Sequence, residues 1–265
     1  MNNLRVSLVQ GVTRWHDPAA NRDYYGGLIE SLRGITDLVV LPETFTSGFS
    51  NDAIANAEDM RGETVGWLRD QARMLDAAVT GSVQLRVGDA VHNRLLFATP
   101  DGEVRHYDKR HLFTFAGEHQ RYAAGSDRLV VEWRGWRICP LVCYDLRFPV
   151  FSRNRIDPER GDAPDFDLLL YVANWPDARA YAWRTLLRAR AIENVCYVAG
   201  VNRVGDDGNG LRYAGGSAVI DFLGAPIGEC GDNEQVVTAA LRAGELATFR
   251  SRFPALRDGD RFTLD

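Results

Sequence analysis

The sequence predicts an α/β fold, built either as one mixed sheet or as two packed sheets with helices outside. Strand and helix patterns alternate early in the chain, and hairpin turns cluster in its middle and near its end. No Pro/Gly/Ser-rich linker, repeat or change of composition divides the 265 residues, of which 45% are hydrophobic and 25% charged. Because a chain of this length can bury a core of enzyme size, we expect one domain over residues 1–265.

In the first half of the chain, strand patterns alternate with helix patterns. Short apolar runs bounded by polar residues predict strands, and an apolar face at intervals of three and four residues predicts a helix. In chain order these patterns predict a strand at 6–10, a helix at 17–33, a strand at 37–41, a helix from about Thr64 and a strand at 78–84. Two further strands meet at Asp101-Gly102, a pair that favours the tight turn of a hairpin.

The second half begins with another hairpin, at Arg134-Gly135. The elements that follow in chain order are a strand at 136–143, a strand at 166–173, a helix at 178–194, a strand at 195–201, a hairpin around Leu223-Gly224, a strand at Gln235–Leu241 and a helix from Glu245. The glycine-rich segment 205–210 has no lysine of the kind that a phosphate-binding loop needs, so it predicts a turn.

Composition and charge exclude several classes of partner. The net charge of -5, from 31 basic and 36 acidic residues, gives no general attraction to nucleic acid or anionic lipid. The N-terminal residues lack an apolar signal segment, and the longest apolar run, 168–173, is far shorter than the ~20 residues of a membrane span. The cysteines form no C-x-x-C pair, which predicts free thiols in a cytoplasmic protein: Cys139, Cys143, Cys196 and Cys230. We expect a small-molecule ligand.

Reactive side chains follow several of the predicted strands. Glu43, Cys143 and Asn174 each come at the end of one, and Lys109 leaves the second strand of the Asp101-Gly102 hairpin. The carboxyl ends of strands in α/β folds converge on ligand sites, so we expect a carboxylate, a thiol and an ammonium in one pocket. A carboxylate can accept the thiol proton, and an ammonium can stabilise the oxyanion of a tetrahedral intermediate. Together they can perform acyl transfer without histidine.

Three segments make this hypothesis specific. LPE at 41–43, YDKRHLF at 107–113 and CYDLRF at 143–148 resemble, in order and spacing, the three signatures of the carbon–nitrogen hydrolase (nitrilase) superfamily. The resemblance extends over nearly the whole chain. It implies a four-layer α-β-β-α sandwich, no metal or cofactor, and a homo-oligomer that is a dimer or larger.

The resemblance also implies a role for each matching residue. Cys143 would be the nucleophile, Glu43 the general base and Lys109 the cation that stabilises the oxyanion. The backbone N–H of Tyr144 would be the second oxyanion donor. Glu118, in a looser motif, matches a second glutamate that orients the lysine.

Two further segments indicate a branch of the superfamily. CYDLR followed by FPVFSRN (143–154) and YVANWP (171–176) resemble the bacterial ω-amidases, which hydrolyse 2-oxoglutaramate and 2-oxosuccinamate. Many superfamily members have Glu where this chain has Val150, and many eukaryotic ω-amidases lack the N-W-P segment, so these departures concern pocket contacts rather than the reaction class.

An ω-amidase substrate carries a carboxylate at the end opposite the amide. Arg147, four residues after Cys143, could bind that carboxylate in a bidentate manner, with Arg179 and Arg184 as the competing candidates. Asn174 and Trp175 are the other expected substrate contacts.

Four alternatives stay open at the level of sequence. The enzyme could hydrolyse N-carbamoyl amines or aliphatic amides on the same scaffold, or the protein could bind small molecules without catalysis. His111 or His119 could serve as a base in papain-like catalysis. A zinc site could combine a C-x-x-x-C pair with nearby histidines, although the spacing matches no common zinc pattern: Cys139, Cys143, His106, His111 and His119.

Overall fold

Two six-stranded sheets pack face to face. The computed structural model describes residues 2–156, 163–260 and 262–264. Within them the first sheet contains, in spatial order, β14 (Gln235–Leu241), β1 (Leu4–Gln10), β2 (Leu38–Val40), β3 (Ala78–Val87), β4 (Ala90–Ala98) and β5 (Val104–Asp108). The second contains β13 (Pro226–Glu229), β12 (Ala218–Ile220), β9 (Tyr197–Asn202), β8 (Leu168–Ala173), β7 (Trp136–Val142) and β6 (Val131–Trp133). A short ribbon of β10 (Val204–Asp206) and β11 (Arg212–Ala214) follows β9.

Helices cover the outer faces of both sheets. The apolar faces of α1 (Pro18–Ile29) and α2 (Glu63–Leu75) pack on the first sheet, and α3 (Ala180–Asn194) and α4 (Ala243–Arg252) pack on the second. The result is four layers in the order helix, sheet, sheet, helix. This arrangement confirms the α-β-β-α sandwich that the resemblance implied.

The alternation of side chains along each strand explains the layers. On β1, Leu4, Val6 and Leu8 point into the core between the sheets, whereas Val9 packs under the helices. On β4, Leu95 and Phe97 face the other sheet. Because β8 is flanked by parallel strands and covered on both faces, all six of its residues are buried.

Parallel strands bring the reactive residues to one edge of each sheet. β1, β2 and β3 run parallel, as do β7, β8 and β9. In the second sheet Val142 pairs with Val172, and Ala173 pairs with Asn202. Cys143, Asn174 and Asn202 therefore lie side by side, as the strand-end argument predicts.

The boundaries differ from the prediction where local chemistry competes with the apolar pattern. α1 ends at Ile29 and continues as a 3₁₀ turn, α4 begins at Ala243 rather than Glu245, and β9 begins at Tyr197 because Val195 caps α3 in the left-handed conformation. The predicted turn at 205–210 lies within the β10–β11 ribbon, whose short strands the sequence analysis missed. Across the ranges described above, no helix combines the length and apolar character needed to span a membrane.

Candidate active site

A buried ammonium lies between two buried carboxylates at the carboxyl edge of the sheets. Lys109 Nζ is 3.0 Å from Glu43 Oε1 and 2.9 and 3.1 Å from the two carboxylate oxygens of Glu118. The side chains of all three residues have no exposed surface. Burial alone would lower the pKa of Lys109, but the charges of Glu118 and Glu43 outweigh it and raise the pKa above its ordinary value. The lysine therefore stays charged.

Lys109 is also the only lysine among the 265 residues, and the other 30 basic residues are arginines. Arginine is a planar fork with delocalised charge, whereas lysine is a compact point charge on a flexible stem. Because arginine occupies every other basic position, the lysine at 109 indicates that this position needs the smaller ammonium group. This signal is present in the sequence itself, independently of the three motifs.

Two asparagines hold the carboxylate of Glu43. Asn93 Nδ2 donates to Glu43 Oε1 at 2.8 Å and to Glu118 Oε1 at 3.3 Å, while the backbone N–H of Asn174 donates to Glu43 Oε2 at 2.7 Å. The Asn174 amide also donates to the backbone oxygen of Glu43 at 2.7 Å and to Thr44 Oγ1 at 3.0 Å. These neutral donors stabilise a second negative charge beside one lysine, because buried carboxylates need hydrogen bonds.

The thiol of Cys143 lies beside this cluster. Cys143 begins a 3₁₀ turn, Cys143–Arg147, with φ at 45°, and its Sγ is 3.8 Å from the backbone oxygen of Asn174. Burial and the negative charge of Glu43 raise the pKa of the thiol well above its usual value, although the charge of Lys109 acts in the opposite direction. The surroundings of the sulfur therefore favour the neutral thiol over the thiolate, so attack by the sulfur needs a group that accepts this proton.

Neither histidine proposed as a papain-like base contacts the thiol. His111 makes a 2.7 Å contact through Nδ1 with Asp145, and His119 is exposed to solvent. Within 2–156, 163–260 and 262–264, neither forms a hydrogen bond with Cys143. Cys139 is buried in the core, where burial raises its pKa to about 12, and no metal-binding group of three His, Cys, Asp or Glu side chains occurs in the same ranges.

The cluster opens into a pocket of about 480 Å³, its open mouth included. Cys143, Lys109 and Tyr144 line it together with aromatic and aliphatic side chains, namely Phe49, Phe113, Ala116, Trp175, Pro176, Leu211 and Tyr213. Pockets of mainly apolar lining with a few convergent polar groups are typical of small-molecule sites.

Two guanidinium groups also line the pocket. Arg147 lies over the Trp175 ring at 4.9 Å, and Arg179 lies over the Phe113 ring at 5.4 Å. In the described part of the chain neither side chain forms an ion pair with a carboxylate. Arg184, the third candidate, is exposed and does not line the pocket.

Residues 5–251 match the carbon–nitrogen hydrolase family. The chain belongs to this family.

This carbon–nitrogen hydrolase is similar along its entire length to the ω-amidase YafV of Yersinia enterocolitica, with 49% identity over 265 residues that cover 100% of both chains. It is 32% identical to the 2-oxoglutaramate amidase of Bacillus subtilis over 96% of each chain. Its structure matches, with a TM-score of 0.99, a CN-hydrolase superfamily protein of Xanthomonas campestris that carries an arsenic adduct in the active site; the identity is 69% and the coverage 100% of both chains.

The hydrolase fold thus brings all the candidate catalytic residues together, and it uses others that the motifs do not reveal. Asn93 lies in the middle of β4 with no local signal of its role. Asn202 ends β9 and clasps Trp175: its Oδ1 accepts the Trp175 N–H at 2.8 Å and its Nδ2 donates to the Trp175 oxygen at 2.9 Å. Asn202 lies at the end of a strand as Asn174 does, and the two strands pair in register, so its position in the sequence is a signal of the same kind.

Proposed function

We propose that the chain is an ω-amidase that hydrolyses the terminal amide of 2-oxoglutaramate and 2-oxosuccinamate to the oxo-diacid and ammonia. The observation that carries this proposal is one pocket with two parts. Cys143 and the Lys109 that the buried Glu43 binds line one part, and Arg147 and Arg179, which pair with no carboxylate within the described residues, line the other. The cluster fits the amide end of such a substrate, and the guanidinium groups fit its carboxylate end. The similarity to an ω-amidase and to a 2-oxoglutaramate amidase supports the same substrate class.

In the acylation step, Cys143 Sγ attacks the amide carbon while Glu43 accepts the thiol proton. The raised pKa of the thiol favours proton transfer that accompanies attack over a preformed thiolate. An ammonium has three donors. Lys109 Nζ contacts one oxygen of Glu43 and both oxygens of Glu118, and when a single N–H bridges the two Glu118 oxygens, another N–H is left for the developing oxyanion. The backbone N–H of Tyr144 is the second donor. Glu43 then gives its proton to the departing nitrogen as the C–N bond breaks, and ammonia leaves.

In the deacylation step, water hydrolyses the thioester on Cys143. Glu43 takes a proton from the water as its oxygen attacks the acyl carbon, and the same oxyanion donors hold the intermediate. When the C–S bond breaks, the proton on Glu43 returns to the sulfur, which restores the thiol and releases the product as a carboxylic acid that ionises in water. Each step uses groups that this chain supplies.

The substrate carboxylate would bind at Arg147, with Arg179 as the second guanidinium group that lines the pocket. Both guanidinium groups lie on aromatic faces, which orient them without neutralising their charge. A bidentate pair between arginine and carboxylate is a directional contact. Trp175 holds Arg147 and is itself fixed by Asn202, so the position of the clamp depends on the second sheet.

The decisive experiment measures ammonia release from a panel of amides. It compares 2-oxoglutaramate with 4-oxopentanamide, which replaces the carboxylate by a methyl group and keeps the rest of the chain. The panel also includes succinamate, N-carbamoyl amines and short nitriles. We expect kcat/KM for 2-oxoglutaramate to exceed that for its neutral analogue by about 10- to 100-fold. Equal rates, or a preference for a carbamoyl amine or a nitrile, would contradict the proposed substrate class.

We also propose a cytoplasmic location and a homodimer. The four free thiols, Cys139, Cys143, Cys196 and Cys230, are in keeping with a reducing compartment, and the dimer is what the family resemblance implies. Cell fractionation tests the location, and light scattering coupled to size exclusion tests the oligomeric state.

A further inference from the structure

The carboxylate of Asp145 ties the segment that carries Lys109 to the turn that carries Cys143. Asp145 has no exposed surface and lies in the 3₁₀ turn two residues after the thiol. Its Oδ2 accepts the Val142 N–H at 3.0 Å and the Tyr107 hydroxyl at 2.8 Å. Its Oδ1 accepts the His111 N–H at 3.0 Å and contacts His111 Nδ1 at 2.7 Å. One carboxylate therefore joins two loops that leave different sheets.

The positions of these partners are what matter for the reacting atoms. Tyr107 and His111 flank Lys109 at two residues on either side, and Val142 immediately precedes Cys143. The backbone of Cys143 is held in the left-handed region at φ 45°, a conformation that persists only when the surroundings impose it. The His111 ring stacks on Phe148 at 3.8 Å, which fixes the far end of the same turn.

The groups that donate to Asp145 indicate a structural role for its carboxylate, which connects the two loops. Among the residues in the described ranges no lysine or arginine pairs with it, and backbone N–H, hydroxyl and imidazole groups meet its charge instead. Burial and the charge of Asp145 raise the pKa of Tyr107 well above its ordinary value, so this hydroxyl stays protonated and donates. A carboxylate can accept four hydrogen bonds. The isosteric asparagine has one acceptor oxygen, and its NH2 group would face the N–H and O–H donors that now bind Asp145.

We infer that Asp145 is a positioning residue that fixes the separation of Cys143 Sγ and Lys109 Nζ, and thereby places the oxyanion between them. The inference rests on the proposed function for the identity of the reacting groups. A displacement of about 1 Å between reacting groups can lower a rate on the order of 100-fold. Arg147 ends the same turn, so kcat rather than KM is the readout that reports this link.

The test is Asp145→Asn, assayed on 2-oxoglutaramate with Asp167→Asn as the matched control. Asp167 is also buried and also accepts several hydrogen bonds, from Arg137 and Arg250, but at the opposite end of the second sheet. We expect Asp145→Asn to lower kcat by about 10- to 100-fold, and Asp167→Asn to lower Tm while kcat stays unchanged. Equal kcat losses in both variants would reduce Asp145 to a general stabiliser and overturn the inference.

A second readout needs no substrate, so it also distinguishes this inference from the proposed function. The rate of iodoacetamide alkylation at Cys143 is followed against pH by mass spectrometry. Removing the charge of Asp145 would by itself lower the pKa of the thiol, whereas moving Lys109 away from the sulfur leaves Glu43 unopposed and raises it. We expect the profile to move to higher pH in Asp145→Asn; a move to lower pH, or no move, overturns the inference.

Tyr107→Phe provides the milder variant for the case in which Asp145→Asn does not fold. It removes one donor to Asp145 and retains the carboxylate and the buried ring. We expect kcat to fall less than in Asp145→Asn. We also expect the alkylation profile to move to higher pH, as in Asp145→Asn. Wild-type kcat and alkylation in Tyr107→Phe would contradict the link. An inactive wild-type enzyme on the whole amide panel would overturn the proposed function and leave the alkylation result to decide the role of Asp145.

Discussion

The backbone N–H of Asn174 donates to Glu43 Oε2 at 2.7 Å, so a residue that ends a strand of one sheet orients the carboxylate that follows a strand of the other. The Asn174 oxygen lies 3.8 Å from Cys143 Sγ. One peptide segment thus touches both the base and the thiol. The geometry of the proposed reaction depends on how the two sheets pack, and not on either sheet alone.

We expect Cys143→Ala to abolish ammonia release while the far-ultraviolet circular dichroism spectrum stays unchanged, because the variant removes the only atom that can form the thioester. Cys196→Ala is the matched control. It removes a buried sulfur from the amino end of the second sheet and should retain wild-type kcat. Substantial turnover in Cys143→Ala would disprove the covalent route.

The free enzyme should be alkylated slowly at neutral pH. Burial and the Glu43 charge raise the pKa of the Cys143 thiol, so the thiolate fraction at pH 7–8 is below that of an ordinary thiol and rises as pH increases past 9. Iodoacetamide labelling between pH 6 and 10, quantified at Cys143 and compared with glutathione, measures this. A plateau reached below pH 8 would mean that Lys109 dominates and that the resting sulfur is ionised.

Glu43→Gln should separate catalysis from thiol reactivity. The amide cannot accept the thiol proton, so kcat should fall by about 10²–10⁴-fold. The same change removes a negative charge beside the sulfur and leaves Lys109 in place, so Cys143 should be alkylated faster at pH 8 than in the wild type. Slower alkylation in this variant would contradict the electrostatic account of the site.

Lys109→Met should lower kcat by about 10²–10³-fold through loss of an oxyanion donor. The variant also leaves Glu43 and Glu118 buried without their shared cation, so we expect a lower Tm as well. Lys109→Met combined with Glu118→Gln removes the surplus charge. It should recover part of the Tm and none of kcat, and recovery of kcat would show that the lysine acts only on stability.

Arg147→Ala should lower kcat/KM for the acid amide, 2-oxoglutaramate, much more than for the neutral amide, 4-oxopentanamide. Losing a charge-assisted bidentate contact of about 1.5–3 kcal/mol lowers kcat/KM for 2-oxoglutaramate by about 10- to 100-fold, with 4-oxopentanamide little affected. Arg147→Lys should restore part of the loss. Arg184→Ala, outside the pocket, is the control. If both substrates lose activity equally, Arg147 supports the loop, and Arg179→Ala becomes the variant that tests carboxylate binding.

Much of this site could be predicted because its chemistry lies at strand ends. Parallel strands place consecutive strand ends at one edge, so motifs far apart in sequence, such as those containing Glu43 and Cys143, imply spatial contact. Asn93 could not be found in this way because it lies within β4 and acts through a side chain that crosses to Glu43. Asp145 is part of a recognised motif, but Tyr107 and His111, two of its three partner residues, belong to a segment whose proximity only the packed sheets reveal.

The fold was predictable to a similar extent and for related reasons. Buried strands such as β8 have a strong apolar pattern, but this pattern left one mixed sheet or two packed sheets open, and only the family resemblance implied the sandwich. The β10–β11 ribbon was missed because its strands have three residues each and include charged and glycine residues. Helix ends shifted by a few residues where caps and 3₁₀ turns decide the boundary, as at Val195.

The single lysine makes this hydrolase unusually resistant to chemistry directed at amines. Its one side-chain ammonium is held by two carboxylates and has no exposed surface, whereas the surface cations are arginines that such reagents leave untouched. Glutaraldehyde or succinimidyl esters would therefore find no accessible side-chain amine among these 265 residues. Treatment with such reagents should leave the reaction centre unmodified.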